Sequence, residues 1–192
     1  MPTSARRDEL LEATVRYLLQ NGVAELSLRP LAAAVGSKAR LLVYHFGSKE
    51  QLLVEAMGLI RSRAKDALEV VMTAQAGDAD LDVLVRALWK WATSTRNRPY
   101  LRLFFEMHGL ALQYPSRYAS YLQGSIDSWI DLLTSTLTRA LGRARAATMA
   151  TLIVGVIDGL LLDALATGDW KRTGRAVNEF AAQLSQKRRS GR

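Results

Sequence analysis

Cysteine is absent from the 192 residues, which excludes both a disulfide framework and a thiolate metal site. Proline occurs four times and glycine thirteen, mostly between periodic segments rather than inside them. Alternation of β-branched and aromatic residues with polar ones is nearly missing, which points to an all-α chain. The opening MPTSARRDELLEAT has no apolar core of a secretion signal. The longest apolar run, Leu152–Leu162, is interrupted by Asp158 and followed by Asp163, and is expected to be too short and too charged to span a membrane. No Walker loop, dinucleotide fingerprint, HExxH or nucleophile elbow is present. The two histidines, His45 and His108, fall in different segments, and Asp158 and Asp163 do not share a helical face well. The expectation is a soluble, cytoplasmic protein that is not an enzyme, with no catalytic residue, cofactor or metal.

What is there is apolar residue at helical spacing and an excess of positive charge. Hydrophobic residues make up 49% of the chain, and the formal net charge is +8, which draws a protein towards polyanions. Leu10, Leu11, Thr14, Val15 and Leu18 stripe a first helix that stops at Asn21-Gly22. A long fourth helix carries Leu53, Met57, Ile60, Ala64, Ala67 and Val71 along one face. After a break at 75–80 come a helix at 81–92, an interruption at 96–99 and a strongly apolar helix from Tyr100 to Leu112. A single helix is then expected from Tyr114-Pro115 to Gly142, another over Ala144–Ala166, and a last one with Val177, Phe180, Ala181 and Leu184. The division read from the sequence is 1–49, 50–186 and a basic disordered tail at 187–192.

Residues 27–53 organise the rest. Leu31, Ala32 and Val35 share a face of one short helix, Gly36 supplies a turn that tolerates positive φ, and Leu42 and Phe46 repeat the apolar spacing on the next. Small Ala32 allows close crossing. Ser27 is placed to cap the first of these helices, Ser37 the second, and Ser48-Lys49-Glu50-Gln51 reads as a capping box for the fourth helix. The pattern is that of a helix-turn-helix with its second helix held out for a DNA major groove. On the outward side, Arg29 can reach guanine or phosphate, Arg40 is the best candidate for a base contact, and Ala39, Leu41 and Val43 suit thymine methyls. Lys38 stands on the same exposed side. Tyr44, His45 and Lys49 suit phosphate oxygens.

Leu31-Ala32, Gly36, Leu42-x-Tyr44-His45-Phe46 and Ser48-Lys49-x-x-Leu52-Leu53, with the first helix back to about Asp8, resemble the DNA-binding segment of the TetR family of bacterial transcriptional regulators. Beyond about Met57 the likeness is one of architecture. The resemblance implies an N-terminal three-helix DNA-binding domain joined by a long helix to a larger helical ligand-binding and dimerisation domain. By the same resemblance Arg29, Ala39, Arg40, Leu41 and Val43 fall where the family touches bases, and Ser27, Leu28, Tyr44, His45 and Lys49 where it touches backbone. Three positions depart from the family pattern. Ser37 replaces a branched apolar residue, Lys38 a common capping serine, and Val43 a common tyrosine.

The resemblance also implies a homodimer, a double-stranded operator and a small-molecule effector, with repression relieved when an apolar or amphipathic ligand binds. A regulator with no inducer and a non-specific DNA-binding protein are the alternatives. Candidate pocket residues are Trp89, Phe104, Phe105, His108, Tyr121 and Trp129, with Glu106 or His108 available to a polar ligand atom. The glycine pair of Gly155-Val-Ile-Asp-Gly159 puts bare backbone on one helix face. Leu152, Gly155, Val156, Gly159, Leu160 and Phe180 are the expected contacts of a four-helix dimer interface.

Overall fold

The computed structural model describes residues 2–74 and 81–189, with side chains described over 5–72 and 81–185. Ten helices account for the regular structure of the described residues: α1 (Pro2–Asn21), α2 (Leu28–Ala34), α3 (Ala39–Phe46), α4 (Lys49–Ala74), α5 (Leu81–Ala92), α6 (Arg98–Gln113), α7 (Ala119–Ser125), α8 (Asp127–Leu141), α9 (Arg143–Thr167) and α10 (Trp170–Arg189). No strand occurs among them. The break expected at 75–80 lies outside the described residues. α10 runs into the terminal basic stretch as far as Arg189, and residues 190–192 of the expected tail lie outside the described residues.

One expected helix divides. The stretch from Tyr114 to Gly142 begins as a turn and forms α7 and α8, separated at Ile126. Gly124 and Ser125, both weak helix formers, precede the break, and the Trp129 N–H closes back on Ile126 O at 2.9 Å, three residues away. The helix after α5 begins at Arg98, so Pro99 sits in its first turn, where its missing N–H has no partner to lose.

Packing gathers the helices into two compact units that interleave along the chain. The first comprises residues 1–63 and 99–125, the second 64–98 and 126–192. In the first, Leu10, Leu31, Ala32, Leu42, Phe46 and Leu52 form a buried cluster from α1 to α4. Leu103 and Met107 of α6 are also buried. In the second, α8 lies along α9, and α10 packs on both α5 and α9. Fully buried Ala146, Ala150 and Ala164 keep one face of α9 narrow, and Ile153, Ile157 and Leu161 fill the core beside them.

α9 corrects one expectation. The helix continues through Asp158 and spans 25 residues, so by length and composition alone it is apolar enough to cross a membrane. Its buried residues are those of a core helix in the second unit, and its hydropathy is accounted for by that packing on one side and by an exposed apolar face on the other. Along that face Leu152 and Leu162 are 52% and 51% exposed. Gly155 and Gly159 lie between them, with no heavy atom within 4 Å of where a Cβ would stand.

Candidate nucleic-acid interface

α2 ends on two crossed hydrogen bonds. The Gly36 N–H donates to Ala33 O at 3.2 Å and the Ser37 N–H to Ala32 O at 2.8 Å, with Gly36 at φ 65°. This is the Schellman closure, and it stops the helix within one residue. A Cβ at position 36 would meet nothing within 4 Å, so the requirement for glycine is conformational and not spatial.

Because Ser37 closes α2, it does not cap α3. Lys38 is the N-cap residue, in extended backbone at φ −112° and ψ 145°, and its carbonyl accepts from the Leu41 and Leu42 N–H groups at 2.9 and 3.2 Å. No side chain caps that end, and the Ser37 hydroxyl is buried without a partner. Ser27 occupies the N-cap position of α2 but its hydroxyl makes no capping bond either. Ser48 does cap: the Gln51 N–H donates to Ser48 Oγ at 3.0 Å. The reciprocal half of the expected box is missing, because the Gln51 amide turns to Glu55 at 3.3 Å.

Burial of Leu42 and Phe46 fixes the rotation of α3 and turns Arg40, Leu41, Val43 and Tyr44 outward. Leu41 and Val43 are 36% and 41% exposed, and Tyr44 is 71% exposed. Such exposure of three large apolar or aromatic side chains on an eight-residue helix costs solvation unless a partner covers them. Arg29, Lys38 and Arg40 are exposed, and none of them makes a hydrogen bond or ion pair among the described residues. No acidic residue occurs between Glu25 and Glu50, so nothing on α2 or α3 neutralises them. An open depression of about 660 Å³ is lined by Gly36, Ser37, Lys38, Arg40, Leu41 and Tyr44. Cationic donors beside apolar groups suit phosphate and base edges together.

The remaining sequence candidates are partly structural. Ser27 is exposed, whereas Leu28 and Ala39 are half-buried and pack on the cluster beneath. Lys49 is half-buried and spends one N–H on Leu26 O at 3.3 Å, which ties α4 to the connection before α2. His45 is half-buried, and its ring meets that of Tyr44 edge-on at 5.1 Å.

Two groups that position the interface carry no sequence signal of that role. Arg7 of α1 donates from Nε to His45 O at 3.2 Å, pairs with Glu55 of α4, and lies 4.7 Å from the centre of the Phe46 ring. It therefore grips the end of α3 against both neighbouring helices. Glu106 of α6 accepts from the Val23 N–H at 2.9 Å, at the turn that ends α1. A charged residue near the start of a helix, or one on an apolar helix, says nothing of partners 38 to 83 positions away.

Of the pocket candidates, the first unit brings together Phe104, His108 and Tyr121, with Phe105 edge-on to Phe104 at 5.2 Å. The His108 ring is 4.1 Å from that of Phe104. Its Nδ1 lies 2.8 Å from Phe104 O and 2.9 Å from Tyr121 Oη, and its Nε2 lies 3.1 Å from Ser125 Oγ. Burial pushes His108 below the usual imidazole range; the bond to Phe104 O opposes this and the nearby Arg61 charge adds to it. Burial pushes the Tyr121 hydroxyl strongly upward. Trp89 and Trp129 belong to the second unit. Trp129 is 6.0 Å from Trp91, and Trp89 Nε1 is 3.7 Å from where a Cβ on Gly174 would stand. In the same unit Arg98 lies over the Trp170 ring at 4.6 Å.

On α9, Val156 and Leu160 are half-buried beside the exposed Leu152, Gly155 and Gly159, and Phe180 is half-buried on α10. Asp163 pairs with Arg172 of its own chain at 2.6 Å, which holds its carboxyl below the usual range. Asp158 has no partner among the described residues, and burial raises it to about 6. No group of three or more metal-ligating side chains occurs among the described residues.

Two short helices locked at a left-handed glycine, the second offering an unneutralised face, define a helix-turn-helix DNA-binding protein. Residues 10–56 match the family model of bacterial regulatory proteins of the tetR family. The chain is 26% identical to the HTH-type transcriptional regulator BetI of Pseudomonas fluorescens, over 90% of this chain and 87% of that one. Among solved structures it resembles a member of the TetR family from Streptomyces coelicolor, at 26% identity and TM-score 0.67, with 93% and 97% of the two chains covered. The multidrug binding protein EbrR, solved in complex with imidazole, matches at 25% identity and TM-score 0.68, covering 93% and 94%. Residues 10–56 thus match the DNA-binding segment of the tetR family, and along most of its length the chain is similar to transcriptional regulators.

Proposed function

We propose that the protein is a homodimeric repressor in the cytoplasm that reads an operator through α3 and releases it when a small molecule binds. The observation that carries the DNA reading is the outward face of α3, with Arg40, Leu41, Val43 and Tyr44 exposed in a stretch free of acids. Arg40 pairs with a guanine edge, Leu41 and Val43 meet thymine methyls, and Ala39 adds its methyl where it emerges from the core. Arg29 and Lys38 take phosphate or the adjacent base. Ser27, Tyr44, His45 and the unspent donors of Lys49 take phosphate oxygens, and the backbone at Leu28 offers an N–H.

The exposed stripe of Leu152, Gly155, Gly159 and Leu162 supports α9 as the centre of a dimer interface, with Val156, Leu160 and Phe180 beside it. The aromatic cluster around His108, and the likeness to a multidrug binding protein, support a small-molecule effector. Release follows by linkage: the ligand binds better to the conformer whose reading heads no longer fit the operator.

Selecting sites from a random DNA pool with purified protein tests the reading. Arg40→Ala is expected to relax preference at one position by about 1–3 kcal/mol, and Tyr44→Phe to weaken all sites evenly. Full affinity and selectivity in both variants would place the reading surface elsewhere. Light scattering that returned a monomer at micromolar concentration would remove the dimer.

A further inference from the structure

Arg61 of α4 stands in the first unit beside the His108 cluster. Its Nη2 is 3.7 Å from where a Cβ on Gly124 would lie, and its charge acts on both His108 and Tyr121. It is half-buried, and it has no hydrogen bond or ion pair among the described residues. Leaving a guanidinium partly desolvated and unpaired is costly, and an anion entering beside it recovers that cost.

The hydrogen bonding next to it points the same way. Phe104 O can only accept, so the proton of His108 is on Nδ1 and donates to it. Tyr121 Oη, 2.9 Å from the same nitrogen, is then an acceptor for that N–H, and its own O–H proton has no acceptor among the described residues. Tyr121 is buried. His108 Nε2 is left to accept from the Ser125 hydroxyl. Arg61 and Tyr121 therefore each present an unspent donor, beside the rings of Tyr100 and Phe104, whose centres are 6.1 Å apart.

We infer that this cluster is an anion site that takes the carboxylate of a small organic acid, with Arg61 on its oxygens, the Tyr121 O–H donating to one of them, and the aromatic rings against its apolar body. One guanidinium beside a neutral imidazole matches a single negative charge, and a phosphate dianion would be left half-compensated. The inference deepens the effector reading above and rests on it only for the consequence to DNA. Arg61 is on the helix that starts at Lys49, and His108 is on the helix whose Glu106 holds Val23.

The test is isothermal titration of the full chain with benzoate, octanoate and indole-3-acetate, each against its amide, and with inorganic phosphate. At least one acid is expected to bind about ten-fold or more tightly than its amide and than phosphate. Arg61→Gln should remove that preference, Arg61→Lys should keep part of it, and Tyr121→Phe should weaken the acid and not the amide. Should Arg61→Gln fail to fold, Tyr121→Phe, which deletes one hydroxyl, carries the test alone. Equal binding of acid and amide, an Arg61→Gln variant that binds the acid as wild type does, phosphate binding as tight as the acid, or no acid binding at about 10 mM overturns the inference. Acid binding that leaves operator affinity unchanged supports the site and removes the effector reading. Operator release by a neutral compound, undiminished in Arg61→Gln, does the reverse.

Discussion

Glu106 and Val23 are joined by a 2.9 Å hydrogen bond across 83 residues of chain, and the same carboxylate fills the space that a side chain on Gly22 would need. A Cβ there would collide with Glu106 Oε2, and Gly22 already sits at φ 73°. The bond fixes the turn between α1 and α2, and with it the base on which the reading helix stands.

Removing the carboxylate leaves a part-buried N–H unpaired. Glu106→Ala is expected to cost about 1–3 kcal/mol in urea unfolding and to weaken operator binding, with Glu106→Gln intermediate because its amide oxygen still accepts. Gly22→Ala should cost at least as much, since it adds backbone strain to the collision. Unchanged unfolding midpoints in both alanine variants would show that the contact is dispensable.

Arg7 holds the His45 carbonyl, the Phe46 ring and Glu55 together. Its guanidinium is about a third exposed, so solvent screens the ion pair, and Arg7→Ala is expected to lose about 1 kcal/mol of stability. Operator affinity should fall with no change in which bases are preferred, because Arg7 sets the end of α3 and does not face outward. A changed consensus in site selection would contradict that assignment.

The Ser37 hydroxyl is buried with no partner. Ser37→Ala removes the unsatisfied group and leaves the backbone bond to Ala32 intact. The expected result is a variant as stable as wild type or up to about 1 kcal/mol more so. A loss of stability would mean that the hydroxyl has an acceptor in solution.

Asp158 carries the pH prediction. Its folded value of about 6 lies above the ordinary 3.8, so the folded chain holds this proton more tightly than the unfolded one. Below about pH 4 the carboxyl is neutral in both states, and its contribution to stability is lost as pH rises through about 6. Asp158→Asn is expected to exceed wild type by roughly 2–3 kcal/mol at pH 8, with the gap closing towards pH 4. Urea unfolding across that range checks it, and a gap independent of pH would assign the effect to something other than ionisation.

Leu31, Ala32, Gly36, Leu42 and Phe46 could be placed from spacing alone, because a 3.6-residue period and a left-handed turn are local properties of the chain. That was enough to orient Arg40, Val43 and Tyr44. The cap of α3 falls at Lys38 and not at Ser37 because the Ser37 backbone is used by the preceding helix, a competition that composition does not display. The break at Ile126 leaves no mark in the spacing because Tyr118, Leu122, Ile126 and Trp129 keep the apolar period across it. Arg7, Glu106 and Arg61 act through partners distant in sequence. The assignment of α6 and α7 to the unit that contains α3 runs against chain order, and no division into consecutive segments could have found it.

The four tryptophans, at positions 89, 91, 129 and 170, all fall in the second unit, while the first contains only tyrosine and phenylalanine among its larger rings. Light absorbed by indole alone therefore reports on the second unit, and phenol emission, with all six tyrosines in the first, on the other. The protein has an intrinsic optical label confined to one unit, so a titration with DNA or with an organic acid can be followed without adding a dye. A change in indole emission on adding DNA would register an event that begins in the unit holding α3 and is felt in the other.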